Sequence, residues 1–272
     1  MSEETSTSPG ESSHPSTRSK GSNIIAVASG KGGVGKTWFS VTLAHAMAQS
    51  DRKVLLFDGD LGLANLDIQL GLMTKKDLGA VLAGRASLSQ AVTFYEEGGF
   101  DIIAGRSGSG ALANLAANRL QALLDELALI AVNYDYVIID LGAGIESTVR
   151  RLAYAAGRII VVVTDEPTSL TDGYAFIKIT HNEHPDSDIQ VVTNMANSIT
   201  EGERTFNTLN KACQGFLKFS PLHLGSVRRD EKVRGAIRAQ TPILNKYPGS
   251  EAGTDVKQIA WVLRRPRTPN GD

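Results

Sequence analysis

The sequence predicts an α/β fold: a single doubly wound, mostly parallel sheet with helices on both faces. Three observations predict it. Short β-branched runs recur from Asn23 onward, helical patterns separate them, and a glycine-rich loop follows the first run directly. The runs "IIAVAS", "KVLLFD", "FDIIAG", "DYVIID", "RIIVVVT", "DIQVVTN" and "LHLGSV" are almost continuously apolar, without strict alternation, as strands buried on both faces require. Between them, Phe39, Leu43, Ala46 and Met47 fall on one face of a first helix, and Leu112, Leu115, Leu120, Leu123, Leu124 and Leu127 recur at helical spacing further on. This alternation of strand and helix implies crossover connections within one domain.

The domain is expected over residues 23–265. Met1 to Ser22 hold no Val, Ile, Leu or aromatic residue, so this stretch is expected to be a disordered tail, and residues 266–272, with Pro266 and Pro269, a second one. A formal net charge of -1 argues against a broadly basic nucleic-acid surface. The sequence has no apolar run of 18 residues and no secretory leader, which points to a cytoplasmic protein. A lone Cys213 excludes an intramolecular disulfide and a cysteine-held metal cluster, and reads as a small buried apolar side chain.

In an open parallel sheet, ligands sit at the carboxyl ends of the strands, so the residues just after each apolar run come first. The first run is followed by "GKGGVGKT", in which Gly30, Gly32, Gly33, Val34 and Gly35 form a loop and Lys36-Thr37 open a helix. This is the phosphate-loop pattern in its required strand–loop–helix setting. Glycines let backbone N–H groups turn onto phosphate oxygens, Lys36 reaches the terminal phosphates, and the Thr37 hydroxyl suits Mg²⁺. The second run ends in "FDGDLGLANLD". There Asp58 is placed to orient Mg²⁺ through water, and Asp60 to position the attacking water of an in-line displacement. The fourth ends in "VIIDLGAGIES", which gives Asp140 for the Mg²⁺ shell and then a glycine-bearing loop suited to sensing a γ-phosphate. Asn194, in "VVTNMANS", has an amide able to donate and accept at an adenine edge. The basic segment "VRRDEKVRGAIRAQ" reads as a solvated helix face.

With these motifs the chain resembles the deviant phosphate-loop ATPases of the MinD/ParA class, whose signature is the extra Lys31 in "KGGVGKT". The similarity runs from about Ile24 to about Tyr247, and "DGDLGLANLDIQLGL", "DEPTSLTDGYAFIKI", "NMANSITEGERTF" and "DEKVRGAI" are most similar to the FlhG/FleN branch, regulators of flagellar number and placement. The resemblance implies a slow ATPase, with ATP and Mg²⁺ as cofactors, that works as an ATP-bound homodimer. Lys31 would reach across the dimer to the partner's nucleotide, beside Lys36 and Asp60 as catalytic residues. Asp140 would hold the Mg²⁺ shell with Thr37, and Asn194 would bind adenine. Glu166 and Asp172 would lie on the dimer face. A flagellar regulator or a flagellar GTPase of the FlhF type is the implied partner, with peripheral contact at the inner membrane or cell pole.

Four features depart from the family pattern. Trp38 stands at a nucleotide-contacting position where relatives have a small polar residue near the α-phosphate, and Arg228 replaces the proline of an adenine-flanking loop. Leu141 replaces a hydroxyl residue after the switch aspartate, which implies a weaker second switch. The C-terminus carries one helix pattern and Arg264, Arg265 and Arg267 beside Trp261, without the separate amphipathic membrane helix of the family. Three alternatives carry other expectations: a DNA-partitioning ATPase, which the near-neutral charge disfavours, a division-site ATPase, and a nucleotide-dependent adaptor with negligible turnover.

Overall fold

Burial on two sides explains the sheet. The computed structural model describes residues 21–62, 64–73, 76–105 and 116–265. Its strands are β1 (Ile24–Ser29), β2 (Val54–Gly59), β3 (Thr93–Tyr95), β4 (Phe100–Ile103), β5 (Tyr136–Ala143), β6 (Arg158–Val163), β7 (Ile189–Ala196) and β8 (Leu222–Arg228). They form one sheet in the order β3-β4-β2-β5-β1-β6-β7-β8, parallel throughout except for the antiparallel pair β3–β4. All seven expected strands are present. β3 was not foreseen, although "TFY" followed by Glu96, Glu97, Gly98 and Gly99 is a short hairpin arm and its turn.

The helices are α1 (Lys36–Ala48), α2 (Leu66–Leu70), α3 (Leu78–Leu82), α4 (Ala117–Ala131), α5 (Ser147–Tyr154), α6 (Pro167–Glu183), α7 (Ile199–Leu217), α8 (Lys232–Arg238), α9 (Ile243–Lys246) and α10 (Glu251–Arg264). One core layer joins α1, α2, α8, α9 and α10 to one face of the sheet, and a second joins α3 to α7 to the other. Along β1 the side chains alternate between them: Ile25 and Val27 enter the first layer, Ile24, Ala26 and Ala28 the second. That is why the run shows no polar alternation.

α1 differs from its expected form. It is buried nearly all round, with Trp38, Val41 and Ala44 as enclosed as Phe39, Leu43 and Met47, because α9 and α10 pack over the side the sheet leaves open. α10 is thus a structural helix, whose Ala252, Val256, Ile259, Ala260 and Leu263 face the core. In α4 the positions Leu120, Leu123 and Leu127 are buried as expected, whereas Leu112 and Leu115 lie outside the described residues, as do the expected tails up to residue 20 and from residue 266. Gly21 and Ser22, expected in the tail, form a turn whose Gly21 carbonyl accepts from the Ile24 and Gly157 N–H groups. Cys213 is buried, as expected, and burial pushes its thiol up to about 11.

Candidate functional site

The loop between β1 and α1 leaves the centre of the sheet, where β1 lies between β5 and β6. Two close approaches shape it. At Gly30 a Cβ would stand 2.2 Å from the backbone carbonyl of Asp172, so only glycine lets the loop pass α6. Gly35 caps α1 in the left-handed region at φ 84°, and a Cβ there would lie 2.4 Å from the Asn194 amide nitrogen. That nitrogen donates to the Val34 carbonyl at 2.8 Å and ties the loop to β7. The first turn of α1 has no acidic residue and no side-chain cap, which leaves its N–H groups available to an anion.

The loop forms one wall of a cleft of about 850 Å³. Lys31, Gly32, Gly33, Val34, Gly35, Lys36, Thr37 and Trp38 line it, faced by Asp60 and by Gly142 and Ala143 of β5. Asp60 lies over Gly142, whose added Cβ would meet its Oδ1 at 3.3 Å. The cleft therefore brings both expected switch segments to the phosphate loop. Asn65, Gln69, Glu146, Thr148 and Met195 also line it; the sequence reading did not single them out.

Beneath the cleft sits a buried charged cluster. Parallel pairing of β2 and β5 puts Asp58 opposite Asp140. Lys36 Nζ donates to Asp140 Oδ1 at 2.9 Å, and the Ser40 hydroxyl donates to the same oxygen at 2.8 Å. Ser40 was missed, yet its spacing of four from Lys36 on one helix was the available signal. Asp58 accepts from the Gly105 and Asp60 N–H groups, each at 3.3 Å. Burial first and Asp140 second push the Asp58 carboxyl up to about 7, against those two bonds. Hard oxygen donors whose mutual repulsion a divalent cation would relieve suit Mg²⁺, with Thr37 at the cleft wall above them.

Lys31 behaves differently. Its Nζ lies 2.6 Å from Glu166 Oε2 and 2.8 Å from the Thr168 hydroxyl, at the start of α6 in the same chain. The bond from Lys31 holds the Glu166 carboxyl below its ordinary range.

Two expected base contacts lie away from the cleft wall. Asn194 is buried behind the loop with its nitrogen committed to Val34. Arg228, at the end of β8, is clamped on α10: its Nε and Nη2 donate to Asp255 at 3.0 and 2.8 Å, and its Nη1 to Glu251. Trp38 lines the cleft but is only 6% exposed, packed in the first core layer with its indole N–H unpartnered. Leu141 is fully buried in the second layer, which accounts for an apolar residue there.

Comparisons with known proteins agree with this fold. A family model described as "AAA domain" matches residues 22–191. The chain is 39% identical to the antiactivator FleN of Pseudomonas aeruginosa over 91% of this chain and 89% of that one. It is 33% identical to the flagellum site-determining protein YlxH of Helicobacter pylori, covering 88% and 81%. Among solved structures, the septum site-determining protein MinD of Pyrococcus horikoshii, complexed with Mg-ADP, superposes with a TM-score of 0.76 at 25% identity, covering 90% of this chain and 96% of that one. The MinC:MinD complex of Aquifex aeolicus gives 0.73 at 25% identity, covering 92% and 99%.

Proposed function

We propose, from the premise that the chain belongs to the MinD/ParA-type ATPases and within them to the FlhG/FleN branch, that it dimerises around ATP and regulates flagellum number and placement. One observation supports the dimer: Lys31 lines the cleft with its side chain 37% exposed, and its Nζ is held by the exposed Glu166 and by Thr168, apart from the buried Lys36–Asp140 pair. A charge supplied from there to a second subunit's nucleotide fits the geometry.

In this reading the loop N–H groups and Lys36 bind the phosphates, so Lys36 exchanges its bond to Asp140 for the nucleotide. Mg²⁺, held by Thr37 and the Asp58–Asp140 pair, would supply charge neutralisation of the phosphates. Asp60, over Gly142, orients water and accepts its proton as the terminal phosphate leaves. Lys31 leaves Glu166 and Thr168 when two clefts face each other. Trp38 offers an apolar wall and, through its backbone, the polar contact expected near the α-phosphate, while Asn194 acts through Val34 on the loop's position.

The names of the relatives, an antiactivator and a flagellum site-determining protein, support a regulatory role at the flagellum, and the partner in this reading is a flagellar regulator or an FlhF-type GTPase. Among the described residues no helix is long and apolar enough to cross a membrane, so membrane or polar contact would be peripheral. The test is sedimentation of wild type and Asp60→Ala with ATP and with ADP, joined to flagellar counts in strains carrying each. An ATP-only dimer, stabilised by Asp60→Ala and accompanied by altered flagellar number, supports the reading. A monomer under every condition removes the dimer, and unchanged flagella with altered division or DNA segregation remove the branch-specific role.

A further inference from the structure

A second concavity lies at the opposite pole of the sheet, where β1, β5 and β6 begin. It encloses about 360 Å³, enough for a small phosphate ester, and four arginines line it: Arg52 after α1, Arg158 at the start of β6, and Arg264 and Arg265 at the end of α10. Against them stands one lining carboxylate, Asp135, whose Oδ2 already accepts from the Lys53 N–H at 2.9 Å. We propose that this pocket is a second anion site, separate from the nucleotide cleft, that binds a phosphate ester between Arg52, Arg158, Arg264 and Arg265.

Among the described residues, Arg158 is the one arginine of the four with a carboxylate within ion-pair distance. Arg158 is half-buried, with Nη1 donating to the Leu263 carbonyl at 2.8 Å and Nε 3.7 Å from Asp188, so its guanidinium is oriented between β6 and α10. Its burial disfavours the charged form, a cost that an anion would offset. Arg264 Nε is buried without a partner. Among the described residues no carboxylate lies within ion-pair distance of Arg52 or Arg264. Arg265 stacks on Trp261 at 3.4 Å, which fixes its plane and leaves its N–H edges for an oxyanion. A solvated basic pole would need neither the concavity nor a buried, unpartnered guanidinium nitrogen. The shared chemistry is a phosphate ester, from a soluble molecule or from a lipid headgroup; the exposure of Trp261 and Val262 beside the pocket leaves room for either source.

The experiment uses the full chain saturated with ADP, Mg²⁺ in excess throughout, so that the phosphate loop is occupied. Pyrophosphate is titrated at constant ionic strength while the thermal midpoint is followed, and in parallel the protein is sedimented with phosphatidylglycerol–phosphatidylcholine vesicles. The wild type should respond to at least one probe, and the Arg52→Gln/Arg264→Gln variant should bind that probe about ten-fold more weakly with unchanged ADP affinity. A response to pyrophosphate assigns the phosphate group of a soluble molecule, and a response to vesicles alone assigns a headgroup. The Arg85→Gln/Lys211→Gln variant, with the same loss of charge at exposed positions elsewhere, should behave as wild type. No response to either probe, an unchanged response in the Arg52/Arg264 variant, or an equal loss in the control overturns the site.

Discussion

Lys36 and Lys31 belong to one loop and meet opposite surroundings. The Lys36 side chain is 8% exposed and joined to an Asp140 side chain that is 2% exposed, with Ser40 completing the cluster. The Lys31 side chain is 37% exposed and its partner Glu166 61%. A buried pair cannot be separated without leaving a charge out of water, whereas an exposed pair can trade its partner for solvent at little cost. The difference suits the two roles: one lysine is part of the fold until a phosphate replaces its carboxylate, and the other is free to move.

The largest effect should come from Lys36→Ala, which would strip Asp140 of its cation beside Asp58. Removing one member of a buried pair costs about 3–5 kcal/mol while the other stays charged. Denaturant unfolding should show most of that loss, and titration calorimetry at least a roughly hundred-fold loss of ATP affinity, since the charge-assisted phosphate contacts go with the lysine. Adding Asp140→Asn should restore much of the stability and none of the affinity. If Lys36→Ala unfolds at the wild-type denaturant midpoint, the pair contributes nothing to the fold and the contrast with Lys31 collapses.

Asp60→Ala comes next. Asp60 lines the cleft instead of the buried cluster, so its loss should lower single-turnover hydrolysis by roughly a hundred-fold, the usual yield of a positioned base, and leave the unfolding midpoint nearly unchanged. Hydrolysis at the wild-type rate would remove that role.

The environments of these residues differ in how far the sequence revealed them. The phosphate loop, the seven parallel strands and the placement of Asp58 near the end of β2 were legible, because burial on both faces and glycine spacing are local signals. Asp140, expected at a strand end, lies within β5, which runs on to Ala143. Partners from distant segments were not legible. Nothing near Lys31 in sequence points to Glu166 and Thr168, and nothing near Arg228 points to Asp255, because those contacts exist only once β6 and α10 are placed. Trp38 looked anomalous as a nucleotide contact and is ordinary as a core residue, since α9 and α10 cover a face of α1 that its own apolar pattern did not reveal. Asn194, expected at a strand end, lies two residues inside the end of β7. Only the 2.8 Å bond to Val34 shows that it holds the loop from behind.

A third prediction extends the contrast to a buried base without an acid. His45, on α1, is 3% exposed, and burial, then the charge of Lys257 on α10, push it down to about 4. The unfolded chain takes up this proton more readily, so the contribution of neutral His45 is complete above about pH 6.5 and lost as pH falls toward 4. At ~1.4 kcal/mol per unit this amounts to at most about 3.5 kcal/mol. Asp58, raised to about 7, acts with the opposite sign in the same window. The quantity to measure is therefore the difference in unfolding free energy between wild type and His45→Gln across that range, and a difference independent of pH would place His45 in a solvated setting.

The smallest effect on the fold, and the sharpest test of the contrast, is Glu166→Gln. The amide removes the charge that holds Lys31 in its own subunit while Thr168 keeps a weaker hold. Because the carboxylate is exposed, thermal unfolding should barely change. ATP-dependent dimerisation, read by sedimentation equilibrium, should tighten by a factor of less than about ten, the range open to a single surface ion pair, and Lys31→Ala should abolish the gain. Weaker dimerisation in Glu166→Gln would put this carboxylate among the groups that hold the ATP dimer together. Lys31 would then be positioned by Glu166 for its work on the partner's nucleotide, and the exposed pair would resemble the buried one in needing both of its members.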